Sequence, residues 1–142
     1  MRNYIIKCVP VMLLSLIFAA NVHAKIVLIG HTSNTEEVSM GVLKRIYLGK
    51  QITFASGTPV EIVDFSNGAT IRDEFYVKVT KKSPRQIQGY RAKLIFSGNG
   101  SAPLELSNAD QIKAWVAEKP GRIGYIDSSD ADASIKVLLN ID

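Results

Sequence analysis

The chain has 142 residues with 17 Lys and Arg against 13 Asp and Glu, a formal net charge of +4. One cysteine, Cys8, and two histidines, His23 and His31, exclude a disulfide framework and zinc sites of the cysteine or multi-histidine kind. The charges are scattered, and no polybasic block argues for nucleic acid or an anionic membrane as a partner.

The first seven residues carry Arg2 and Lys7 and no acid, and an apolar run from Val9 to Ala20 follows. Charged-then-apolar is the order of an export signal, and the run falls short of the about 20 apolar residues that a bilayer crossing takes. Val22-His23-Ala24 places small or modest side chains where signal peptidase needs them, so residues 1–24 read as a signal peptide cleaved after Ala24. The working protein is then periplasmic. Cys8 lies at the start of the apolar run, whereas a lipid-modified cysteine would sit at its far end. Residues 25–142 keep fifteen Lys and Arg against thirteen Asp and Glu, one histidine and no cysteine. A chain of that length is well above the roughly 40 residues below which a core fails without staples, so one domain is expected over 25–142.

Within it, Lys25-Ile26-Val27-Leu28-Ile29-Gly30 is an almost continuous apolar run ended by Gly, the pattern of a strand buried on both faces. Ser39 can cap a helix whose Val42, Leu43, Ile46 and Tyr47 recur at helical spacing, and Gly49 stops it. After a loop with a Ser56-Gly57 turn, residues 60–65 read as a second strand. A turn over 66–70 leads into a helix through about Val79, with Ile71, Phe75 and Val79 on one face. Ser83-Pro84 gives an N-cap with Pro at the first helical position, opening a helix that runs to Ser97-Gly98. A loop over 97–103 follows, then Ser107 or Asn108 caps a helix bearing Ile112, Trp115 and Val116 that Lys119-Pro120-Gly121 breaks. Residues 123–126 and 135–139 complete the strands. Strands separated by helices predict a three-layer α/β domain, its small mixed or mostly parallel sheet flanked by about four helices.

Chemistry points to the Gly-containing loops, where a backbone can turn its N–H groups toward an anion and a helix start adds a favourable field. In 66–70, Ser66, Asn67, Gly68 and Thr70 offer amides and hydroxyls, and Arg72 a charge; the competing reading is a capped turn with no ligand. Ser97, Gly98, Asn99, Gly100 and Ser101 read either as a nest of amides or as a C-cap and a flexible connection. His31, Thr32 and Ser33 follow the first strand, at an edge where α/β domains place binding groups. No nucleophile–base pair or G-x-S-x-G elbow marks an enzyme. The Asp127, Asp130 and Asp132 cluster lacks the central Gly and closing Glu of a calcium loop, so neither metal nor cofactor is expected.

Residues 40–50, ending Ile46-Tyr47-Leu48-Gly49-Lys50, resemble the "IFLGK" helix end of phosphate-binding proteins that serve bacterial ABC transporters. Pro120-Gly121-Arg122-Ile123-Gly124-Tyr125-Ile126 is similar to their "PGAIGYV" strand. Lys82-Ser83-Pro84 and 94–98 resemble the "KSP" and "LIFSG" stretches of the short, single-domain periplasmic members. The resemblance implies one lobe of a type II periplasmic binding protein, a phosphate or similar small oxyanion at 66–70, and a role beside an ABC transporter. It departs at the site: full-length receptors carry Arg-x-Asp-Gly-Ser-Gly-Thr where this chain has 64–70, and only Thr70 is kept. Asp64 stands at the arginine position and would repel a dianion unless Arg72 or another cation compensates. A single lobe also leaves a ligand half exposed, so tight binding would need a partner protein or a homodimer. Two readings stay open: a non-enzymatic solute-binding domain in which 66–70 is assisted by 31–33 and 97–101, converging at one sheet edge, or an envelope interaction module with a decayed anion site, docking on a transport assembly or another envelope protein.

Overall fold

A computed structural model describes residues 23–142; all but the last two residues of the expected signal peptide lie outside the described part. In chain order the elements are β1 (Ile26–Gly30), α1 (Met40–Tyr47), β2 (Glu61–Phe65), α2 (Thr70–Thr80), α3 (Pro84–Phe96), β3 (Leu104–Leu106), α4 (Ala109–Val116), β4 (Arg122–Asp127), a 3-10 turn (Ser128–Asp130) and β5 (Lys136–Ile141). The strands form one mixed sheet in the order β3-β2-β4-β1-β5. β2 runs parallel to β3 and β4, and β1 lies antiparallel between β4 and β5. The expected α/β class and the parallel pairing are present, confined to one half of the sheet.

All five residues of β1 are buried, because it has a strand on each side and a helical layer over each face. The two layers are read from β2 and β4, where successive side chains point to opposite faces. Val63 and Gly124 face α4, whose Ile112 and Val116 pack on them. Asp64 and Tyr125 face the other way, toward Phe75 and Tyr76 of α2 and Tyr47 of α1. Phe75 and Tyr125 stack with centroids 3.7 Å apart, and Tyr47 meets Phe75 edge-on at 4.7 Å.

The helix starts follow their local chemistry. Ser39 caps α1, Asn108 caps α4, and Ser83 with Gln86 forms a capping box at α3. α2 alone among these four begins at a residue, Ala69, that makes no side-chain cap. Two boundaries differ from expectation. Leu104–Leu106 is a strand, three residues pairing with Val63, Asp64 and Phe65, within a stretch too short to carry a period. β5 extends to Ile141, where it pairs with Ile26.

Candidate functional site

Strand direction decides which loops can meet. Phe65 pairs with Leu106 in parallel, so the turn over 66–70 leaves the sheet edge at which β2, β3 and β4 end. Gly30 pairs with Ile123, which pairs with Ile62, so His31, Thr32 and Ser33 leave the opposite edge, where β2 and β4 begin. Residues 97–101 also lie there, leading into the start of β3, with β2 and β4 between them and the end of β1. The expected convergence of three loops is therefore corrected: of the three, only 66–70 leaves from this edge, and neither 31–33 nor 97–101 reaches it. Antiparallel insertion of β1 places 31–33 at the opposite edge, since a parallel β1 would have ended at the edge where Phe65 ends, and 97–101 lies there because it leads into β3, parallel to β2.

At 31–33 the polar groups serve each other: His31 Nδ1 accepts from the Ser33 amide at 3.1 Å and lies 2.8 Å from Ser33 Oγ, while Thr32 is exposed. In 97–101, Ser97 Oγ donates to the Leu94 carbonyl at 3.1 Å, and Asn99 Nδ2 donates to Ser97 Oγ at 3.1 Å. Gly98 has φ +72, and its amide and that of Asn99 return to Ile95 and Leu94 carbonyls. That is helix termination over 97–99.

The turn over 66–70 is arranged differently. Gly68 has φ +89, and a Cβ built there would meet nothing within 4 Å, so the space above the turn is open. The Ala69 amide returns to the Ser66 carbonyl, and the Ala69 carbonyl accepts from the amides of Arg72 and Asp73. Among the described residues the amides of Thr70 and Ile71, the first two of α2, have no acceptor. Ser66 Oγ donates to the Leu106 carbonyl at 3.4 Å, Asn67 Oδ1 accepts from Gln88 Nε2 at 3.1 Å, and the Thr70 side chain is exposed.

Arg72, expected to face an anion at this turn, points inward instead. Its Nη1 donates to the Phe65 carbonyl at 3.0 Å and to Glu105 Oε1 at 2.6 Å, and its Nε lies 3.5 Å from Asp64 Oδ2. Glu105 is on β3, the strand that periodicity misses. Asp64 has no exposed surface; it accepts from Tyr76 Oη at 2.7 Å and from Tyr125 Oη, and Arg91 Nη2 stands 3.6 Å away. Burial pushes the Asp64 carboxyl up, against the hydrogen bond from Tyr125, the field of Arg72, the hydrogen bond from Tyr76 and the field of Arg91. Burial first, then the Asp64 charge, holds the Tyr76 and Tyr125 hydroxyls above their usual range, so both stay protonated donors. The anticipated repulsion of a dianion by Asp64 is answered inside the core. The cost is that no cation of this cluster faces the turn.

No protein-family model matches the chain, and no curated protein matches it. Solved structures do. A protein from Clostridium perfringens, assigned as a phosphate ABC transporter substrate-binding protein and solved with bound phosphate, superposes with a TM-score of 0.63 at 23% identity. The match covers 81% of this chain and 44% of that one. An ABC-type phosphate transport receptor from Vibrio cholerae gives a TM-score of 0.62 at 14% identity, over 81% of this chain and 45% of the receptor. The chain thus has the fold of one lobe of a periplasmic binding protein, and it spans less than half the length of these structures.

Proposed function

We propose that this lobe belongs to an exported, non-enzymatic solute-binding protein that takes phosphate or a similar small oxyanion at the 66–70 turn, in connection with an ABC transporter. The observation that carries the reading is the open start of α2. A helix N-terminus with free amides and the positive end of its dipole is a ready anion site; at α2 it follows the open Gly68 turn with no side chain over it, whereas Ser39, Ser83 and Asn108 lie across the starts of the other three α-helices and bond their third amides. The Clostridium perfringens structure of the same fold holds phosphate. Thr70 adds an exposed hydroxyl donor at the first helical position. With Arg72 turned inward the site works through amides, so its affinity is modest and falls with salt.

Calorimetry at low ionic strength with phosphate, then sulfate, tests this. A dissociation constant of about 100 μM, roughly 5.5 kcal/mol, is expected. The decisive variant is Thr70→Pro. Proline suits the first helical position, and Ala69 at φ −68 and ψ 131 already has the backbone that a residue before proline adopts. The substitution therefore removes the amide and the hydroxyl of Thr70 and leaves the helix, weakening binding at least about tenfold, the scale of one charge-assisted hydrogen bond. Silence with both anions from folded protein would sink the receptor reading. It would favour the interaction module, which the inward Arg72 and the 94% exposed Phe96 on α3 support.

A further inference from the structure

At the sheet edge opposite the 66–70 turn, a groove of about 430 Å³ runs between the end of α1, the middle of α3, the starts of β2 and β3, and the 99–103 loop. That volume is on the scale of a small-molecule site. Its walls are mainly apolar, with Ile46, Leu48, Leu94 and Trp115 joined at the rim by Ile52, 74% exposed, and Leu104, 46% exposed. Gly100 lies against Leu94, where a Cβ would stand 3.4 Å from the Leu94 Cβ, so the 99–103 loop closes one side tightly.

One cation lies deep in this groove. Arg91 lines it with 15% of its side chain exposed. Its Nη2 donates to the Tyr47 carbonyl at 3.4 Å and to Tyr76 Oη, and stands 3.6 Å from Asp64 Oδ2. Nε is shut from solvent and has no acceptor, and Nη1 makes no hydrogen bond among the described residues. Nε, closed to solvent, is closed to a ligand as well, so Nη1 is the guanidinium nitrogen left for an oxygen in the groove. The other charge on the lining is Glu61, which Arg122 at 3.2 Å and Lys119 at 3.7 Å already match. The groove therefore offers an apolar wall and an incompletely paired arginine.

We propose that this groove binds a small amphipathic carboxylate, its acid group pairing with the Nη1 of Arg91 and its apolar body covering Leu94, Ile52 and Leu104. This site is independent of the phosphate reading, since the two occupy opposite sheet edges.

The test is a titration of the isotope-labelled protein with octanoate, followed by the Arg91 Nε–H signal and the backbone amides. Octanol serves as the neutral control and acetate as the charge without the chain. Octanoate should bind at least tenfold more tightly than either, moving Arg91 Nε–H together with the Gly49, Gly100 and Leu104 amides while Gly68 and Thr70 stay in place. Ile52→Glu, at an exposed rim position that the core does not use, should weaken octanoate at least tenfold. Equal affinity for octanol, shifts at Gly68 and Thr70 in place of the groove, or undiminished binding by Ile52→Glu would each overturn the proposal.

Discussion

Between two arginines and two tyrosine hydroxyls, Asp64 holds a carboxylate with no access to water. Removing one member of a buried, hydrogen-bonded charge cluster leaves the others uncompensated, which costs about 3 to 5 kcal/mol. Asp64→Ala should lose that much stability in chemical denaturation, and a loss below about 1 kcal/mol would show that water already screens Arg72 and Arg91. The sequence showed Asp64 as an acid facing a ligand because it compares only neighbours along the chain. Glu105, the side chain nearest to the Arg72 guanidinium, lies 33 residues away. The turn over 66–70 was legible because Gly in a turn before a helix has a local cause, and Gly68 does take positive φ.

At the level of elements, local chemistry again separates what could be read from what could not. Caps at Ser39, Ser83 and Asn108 each depend on a residue within three positions, and each is found. β3 depends on a strand some forty residues earlier and left no periodic trace. The Pro120-Gly121-Arg122-Ile123-Gly124-Tyr125-Ile126 stretch owes its composition to packing. A Cβ at Gly121 would stand 2.4 Å from the Pro59 carbonyl oxygen, and one at Gly124 would stand 2.8 Å from both Ile112 and Val63. Gly124 thus lets α4 settle onto the sheet. Gly124→Ala should push α4 outward and cost about 1 to 3 kcal/mol, the scale of overpacking a filled core, with Ile112 and Val116 methyl signals moving most. Unchanged stability would mean that α4 shifts freely.

The largest gap between sequence and structure lies in the whole molecule. Hydrophobic runs place the strands but carry no sign of direction, and the antiparallel setting of β1 sends 31–33 to the edge away from 66–70. The same setting leaves β1 bonded on both sides, beside the middle strand β4. Its Val27, Leu28 and Ile29 amides should exchange hydrogen only through global unfolding, with a denaturant dependence matching that of the whole domain. Exchange of those amides ahead of the α4 amides would contradict a β1 held on both sides until global unfolding.

The pairing of Ile26 with Ile141 reaches further than stability. Chain entering the fold and chain leaving it run side by side, so the lobe can be spliced into a loop of a host protein through two adjacent strands without spreading the host apart. It also raises the contact order: the β1–β5 pairs join residues more than a hundred positions apart, a separation that slows folding.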